Sequence, residues 1–321
     1  MPFFCDYSCK VEHPLKIIVL IGPTAVGKTR LSLAIAEQFL CEIVNMDSMQ
    51  IYRYMDIGTA KPTETERARV PHHLIDFIDP AEDYHVARYV DDANRVMDAI
   101  SGENRLPMLV GGTGLYLKGL VEGLFEIPPI AAEIREQVRL DLHDRGNQEI
   151  YLELQQIDPE TAARIHPNDS RRISRAIEIY RATGVAWSVH LKNQKEQAER
   201  EGSDLDILKI GLTREREILY ERINERTRIM IEQGLVEEVE NLLAMGYGAE
   251  LNSMQSIGYR HMVNYIQGRW GRDEAIQLLA RDTRRYAKRQ YTWFRRDKDI
   301  CWFEPEQQSE IFTLIKQFLR S

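Results

Sequence analysis

The stretch IGPTAVGKTR, residues 21–30, decides the fold. From Gly22 to Thr29 it reads G-x-x-x-x-G-K-T. It follows the apolar run Ile17 to Ile21 and precedes a helical pattern carried by Leu31, Leu33, Ile35 and Ala36. That strand–loop–helix context is the one in which this motif holds phosphates. Gly22 and Gly27 let the backbone curl so that successive N–H groups point inward as an anion nest, and the helix starting near Lys28 adds its positive dipole end. Lys28 supplies a mobile charge, and the Thr29 hydroxyl is a ligand for Mg²⁺. Gly22, Thr24, Ala25, Val26, Gly27, Lys28 and Thr29 are therefore the phosphate-binding candidates. The motif leaves open what the phosphates are attached to.

Outward from the loop, strands and helices alternate. Glu42 to Asn45 reads as a second strand ending at MDSMQIY, DIGTAKPT (56–63) as a loop, HHLIDFID (72–79) as a further strand and Val86 to Ile100 as a helix. LPMLVGGTGLY (106–116) repeats the strand–Gly-turn–helix arrangement. This alternation predicts a P-loop α/β fold: a parallel sheet with flanking helices. Ligands of such sheets sit at the carboxyl ends of the strands. Residues 22–29, 47–50 and 111–114 are thus expected to converge on one crevice. From residue 128 to 202 helical patterns dominate, as in IREQVRLDLHDRG and SRRISRAIEIYRATG, and KNQKEQAEREGSD reads as a polar tail. The expected organisation is a first core part (14–127), a helical insertion (128–202), and a segment (203–321) in which LDILKIGLT returns to the sheet before further helices.

Composition bounds the rest. The chain has 321 residues, 43% hydrophobic, enough for a core. The net charge of −8 hides an uneven distribution of basic residues. Cys5, Cys9, Cys41 and Cys301 form no C-x-x-C pair, which argues for reduced thiols rather than a metal site. No apolar run reaches the length of a membrane span, and no basic segment followed by a long apolar core opens the chain. A soluble, cytoplasmic protein is expected.

In RDTRRYAKRQYTWFRR (281–296), Arg281, Arg285, Lys288, Thr292 and Arg295 fall on one helical stripe. Leu279, Tyr286 and Trp293 fall nearly opposite and are expected to face the core. Asp282 is the only acid in that stretch, so local pairing leaves the stripe basic. A basic face with interleaved aromatics suits phosphate contact and base stacking. A weaker cluster, Arg171, Arg172 and Arg175, follows HPND, whose Asp169 has the look of a helix cap.

Six segments in order, GPTAVGKT, NMDSMQIYRYMDIGTAKPT, LVGGTGLYLKGL, IHPNDSRRISRAIEIY, SIGYRHM and AKRQYTWFRR, closely resemble the bacterial tRNA dimethylallyltransferases. The resemblance covers nearly the whole chain after about residue 14. It implies that the loop holds dimethylallyl diphosphate rather than ATP. The prenyl group would pass to the exocyclic amine of the adenosine at position 37, beside the anticodon, in tRNAs reading codons that begin with U. It implies that Arg226 reaches the same diphosphate and that Asp47 accepts the proton. It also gives Thr113 and Arg135 roles in activity, Mg²⁺ as cofactor and a monomer as the family default. The tRNA anticodon stem-loop would meet Asp47, Ser48, Met49 and Gln50, then Arg171, Arg172 and Arg175, then Gln255, Gly258, Tyr259 and Arg260, and finally Lys288, Arg289, Gln290, Trp293 and Arg295. No Cys/His cluster follows Cys301, unlike eukaryotic relatives with a zinc finger.

Asp47 also has a chemical rationale. An adenine amine becomes strongly acidic only once its nitrogen bonds the allylic carbon, so a carboxylate of ordinary basicity suffices. Three rivals stand beside this reading. A small-molecule P-loop kinase leaves the basic helix without a purpose. An adenylate isopentenyltransferase acting on free nucleotides needs no anticodon surface. A non-catalytic RNA-binding protein does not need the combination of Lys28, Thr29 and Asp47.

Overall fold

The computed structural model describes residues 14–124, 130–201 and 205–321. Cys5, Cys9 and the boundary expected at 127–128 lie outside the described residues. The strands are β1 (Leu15–Ile21), β2 (Cys41–Met46), β3 (His72–His73), β4 (Leu106–Gly111), β5 (Leu205–Leu212) and β6 (Cys301–Phe303). They form one sheet in the order β3-β2-β4-β1-β5-β6, with every pairing parallel. Ile17 to Ile21 of central β1 are fully buried, which is why that strand reads as an unbroken apolar run.

Between these strands run α1 (Lys28–Phe39), α2 (Glu64–Arg69), α3 (Val86–Gly102) and α4 (Gly114–Glu122). The chain then forms α5 (Ala132–Ile157), α6 (Pro159–Arg164), α7 (Ser170–Thr183) and α8 (Trp187–Glu201). After β5 come α9 (Arg216–Glu232), α10 (Leu235–Ala244), α11 (Tyr259–Ile266), α12 (Arg272–Phe294) and, after β6, α13 (Gln308–Arg320). Ile18 and Leu20 of β1 pack with Leu31 and Ile35 of α1, Leu219 and Ile223 of α9, and Ile311 and Ile315 of α13. A second cluster joins Ile51, Tyr52, Met55 and Ile78 to Val239, Met262 and Leu279 of α10, α11 and α12.

The chain divides into two compact units. One ends at Leu120 and resumes at Asp204; the other is Val121–Ser203. The division thus falls inside α4, ahead of the expected residue 128. Within the helical unit, Val138, Ile150, Leu154, Ile173 and Ile177 form the core. The side chain of Asp169 accepts the Arg172 N–H and caps α7, as HPND indicates. Buried Asp158 accepts the N–H groups of Thr161 and Ser188 and so ties α6 to α8. α5 is kinked at Gly146, which has φ 74°. One expectation is corrected here. The segment read as a polar tail is helical to Glu201.

HHLIDFID is also corrected: only His72 and His73 are strand. Leu74 and Asp76 take positive φ (both 56°), which no strand allows. The Asn45 amide holds the Leu74 carbonyl, and Lys61 and Arg67 hold the Asp76 carboxylate. Short strand β6 had no recognised sequence signal; it pairs with β5 at an edge of the sheet.

Candidate functional site

Strands β2, β4 and β1 are neighbours in the sheet. Their carboxyl ends carry Asp47, the turn leading to Thr113, and the loop Gly22–Gly27. The Ser48 N–H donates to Thr113 Oγ1 at 3.1 Å, which joins two of these ends directly. Gly111 permits the join: a Cβ there would lie 2.0 Å from the Met46 carbonyl oxygen. The glycines of this turn thus allow close packing of chain on chain.

In the phosphate loop Gly27 has φ 118° and Ala25 φ 65°. Lys28 Nζ donates to the carbonyls of Gly22 and Pro23, both at 3.0 Å. Burial lowers its pKa to about 8, against the opposing pull of Asp47, and Arg226 lowers it further. Three arginines brace the loop from behind: Arg222 Nε on the Ala25 carbonyl, Arg214 Nε on Val26 and Arg226 Nη1 on Thr24 Oγ1. Burial lowers the Arg226 pKa, and Asp47 opposes that shift. Arg214 and Arg222 carry no motif; their role depends on where β5 and α9 are packed.

The Asp47 carboxylate is half engaged. Its Oδ1 accepts the Met49 N–H at 2.9 Å, forming a turn, and among the described residues no other hydrogen bond reaches the carboxylate. The backbone around it is fixed by Asn45, whose side chain accepts from the Asp47 N–H and donates to the Asp47 and Leu74 carbonyls. Asn45 was missed in the sequence, where it reads as the last residue of a strand.

These groups line a cavity of about 670 Å³. Its polar wall includes Thr24, Gly27, Lys28, Thr29, Asp47, Arg222 and Arg226. Its apolar wall includes Ile43, Ile75, Val110, Ile229 and Tyr286. Burial raises the Tyr286 phenol, and the Asp47 charge adds to the shift. Among the described residues, no three His, Cys, Asp or Glu side chains gather as a metal-binding group.

One rim of the cavity is the 56–62 loop. Gln50 Nε2 donates to the Thr59 and Ala60 carbonyls, both at 3.2 Å. Glu238 accepts the N–H groups of Asp56, Ile57 and Gly58 and the Tyr259 hydroxyl. Lys61, 8% exposed, is paired with Asp56 and Asp76. A buried lysine is tolerable only with such partners.

The basic stripe of α12 lies where the periodicity puts it: Arg281, Arg285, Lys288, Thr292 and Arg295 are all exposed, as is Arg289. Asp282 gathers Arg260, Arg281, Arg285 and buried His261 around it. Arg289 and Arg295 lie over the rings of Tyr286 and Tyr291. Trp293, expected to face the core, is 39% exposed. It packs over Gly114, where a Cβ would meet its ring at 2.1 Å. Three residues expected to face tRNA lie inside instead. Gly258 and Tyr259 are buried, Tyr259 on Glu238. Gln290 is 5% exposed and bonds Thr24 and Gly112. Gln255 is exposed, with its amide on the Ala249 carbonyl. In the helical unit Arg171 and Arg172 are exposed and Arg175 is half-buried; Arg172 pairs with Asp169 and Arg175 with Glu178. Arg135 is exposed on α5. No described helix is long and apolar enough to cross a membrane.

Comparison with known proteins agrees with this geometry. The IPP transferase family model matches residues 50–297, and the isopentenyl transferase model matches 15–75. A tRNA dimethylallyltransferase of Desulfotalea psychrophila is 50% identical over 310 residues, 97% of each chain. The tRNA isopentenylpyrophosphate transferase of Bacillus halodurans superposes with a TM-score of 0.70 at 40% identity, over 95% of this chain and 97% of that one. A eukaryotic dimethylallyltransferase caught acting on tRNA gives a TM-score of 0.72 at 28% identity, over 91% of this chain and 74% of that one. A family model spanning most of the chain, relatives half identical along its length and the same parallel sheet place this protein in the IPP transferase family.

Proposed function

We propose that this chain transfers a dimethylallyl group from dimethylallyl diphosphate to the exocyclic amine of the adenosine beside the anticodon of a tRNA, releasing diphosphate. One observation carries the reading. A single cavity sets a cationic phosphate loop, a half-engaged carboxylate and an apolar wall within one enclosure.

Each part has work in that reaction. As the allylic C–O bond breaks, negative charge grows on the departing diphosphate. The loop N–H groups, Lys28 and the Arg226 guanidinium stabilise it, the latter through its two-pronged fork. Ile43, Ile75, Val110 and Ile229 suit the five-carbon chain, where a nucleoside's polar groups would go unpaired. Asp47 orients the amine through the oxygen not committed to Met49 and takes the proton once the N–C bond forms. Thr113, bonded to Ser48, holds the two strand ends in register. The Thr29 hydroxyl, in the cavity wall, would hold Mg²⁺ through one oxygen ligand. When bound there, the ion supplies further charge neutralisation to the leaving group. The exposed stripe of α12 suits RNA phosphates, and the reacting base has to leave its stack to reach the cavity.

The test is incubation with labelled dimethylallyl diphosphate, Mg²⁺ and unmodified tRNA, followed by nucleoside analysis. Label in the modified adenosine of the tRNA, without ATP, is the expected result. In parallel incubations supplied with AMP or with ATP, label only in free AMP would favour the adenylate isopentenyltransferase reading, and strict ATP dependence would favour a kinase.

A further inference from the structure

The inner face of α12 touches the phosphate loop itself. Gln290 is 5% exposed, in a helix whose neighbouring Lys288, Arg289 and Thr292 are in solvent. Its Oε1 accepts the backbone N–H of Thr24 at 2.9 Å, and its Nε2 donates to the Gly112 carbonyl at 3.0 Å. One carboxamide therefore spans the gap between the β1 loop and the β4 turn that precedes Thr113. The Gly112 bond is buried and the Thr24 bond partly so, and a lost partner in such surroundings leaves a costly orphan. Thr24 is held from two sides, since Arg226 Nη1 donates to its hydroxyl at 3.1 Å. The Thr24 N–H is thus committed to Gln290, which sets how the rest of the nest is aimed. The fit is close: a Cβ on Gly112 would lie 2.1 Å from Gln290 Nε2.

We infer that Gln290 is a positioning residue of the donor site, holding the phosphate loop in the shape that takes a diphosphate, and is not a reader of RNA. This rests on the function proposed above. It assigns α12 two tasks on two faces: phosphates of the nucleic acid outside, and the shape of the donor nest inside. A glutamine suits the inner task because it offers one donor and one acceptor on a single planar group. A methionine of similar length offers neither.

The experiment uses the full chain with inorganic pyrophosphate and dimethylallyl diphosphate as donor-site probes, tRNA binding as the control, and thermal unfolding to confirm folding. Gln290→Met is expected to weaken pyrophosphate binding and raise the donor KM by about tenfold, the worth of a lost buried partner. tRNA affinity and its salt dependence should be unchanged. Gly112→Ala displaces the same amide from the other side and should give the same KM pattern. The double variant should fall well short of the sum of the two, because both act through one carboxamide. Weakened tRNA binding with unchanged donor KM would overturn the inference and return Gln290 to the RNA. Equal loss of donor and tRNA affinity in both variants would mean a merely structural role and would also overturn it. If the wild type transferred the prenyl group and bound pyrophosphate, either failure would leave the proposed function standing. If the wild type bound neither donor nor pyrophosphate, both would fall together.

Discussion

Along α12 the outward residues Arg281, Arg285, Lys288, Thr292 and Arg295 stand in solvent, while Gln290 is 5% exposed and Tyr286 lines the cavity of the phosphate loop. The outer face is diffuse. Its charges stand in solvent, and Arg281 and Arg285 pair with Asp282. The inner face is specific. Both ends of the Gln290 carboxamide have a named partner, and a displacement of about an ångström at such a site costs catalysis heavily. The same helix thus shows that basic residues at helical spacing describe a surface, while the residues between them build the chemistry.

The largest expected effect lies on the inner side. Asp47→Asn should slow the chemical step by about two to four orders of magnitude, the usual worth of a positioned general base. Single-turnover kinetics measures it, and donor affinity should move little. A near wild-type rate would reduce Asp47 to the turn that its Met49 bond already makes.

The outer side comes next. Replacing Arg285, Lys288 and Arg295 with alanine should weaken tRNA binding by about ten- to a hundredfold. The slope of log affinity against log salt should flatten by about two units. Pyrophosphate binding should stay as it was. An unchanged slope with unchanged affinity would leave the stripe a solvated helix face.

A smaller effect sits where the two sides meet. Burial pushes the Asp282 carboxyl up, but hydrogen bonds from Arg281 and Arg260 outweigh it and bring its pKa from 3.8 to about 2. A depressed carboxylate stabilises the fold above its unfolded pKa and loses that contribution as pH falls through the folded one. Asp282→Asn should therefore cost about 2 kcal/mol at pH 7. The difference from wild type should shrink between about pH 4 and pH 2. Denaturant unfolding across pH reads it directly, and a pH-independent difference would assign the loss to packing.

The smallest effect belongs to the helical unit. Arg172 is 61% exposed in its pair with Asp169, so Arg172→Ala should change stability by under about 0.5 kcal/mol. The α7 cap survives because it uses the Arg172 backbone N–H. A loss of several times that size would show that the pair is part of a larger network.

Much of the site was legible because its signals are local. The phosphate loop, the strand ends and the acid of DSMQ follow from short-range pattern and from the rule that parallel sheets bind ligands at one edge. The unread parts depend on distant segments. Arg214, in the connection after β5, and Arg222 of α9 brace loop carbonyls, Glu238 of α10 fills the nest of the 56–58 backbone, and Asn45 works through a carbonyl 29 residues away. None of these has a spacing that announces it. Tyr259 and Gln290, given to tRNA by the family resemblance, are buried, and Trp293 was expected to face the core because helical periodicity fixes an angle about the axis. It does not fix what the neighbouring chain leaves open at that angle.

By itself the sequence determined the alternation of strands and helices around β1, β2 and β4, the glycine loop between β1 and α1, and the basic stripe. Those properties come from backbone sterics, local periodicity and fixed charge. Only the tertiary structure decided which side of α12 faces the cavity and which arginines reach the loop. These are matters of a few ångströms between groups hundreds of residues apart, and close packing settles them.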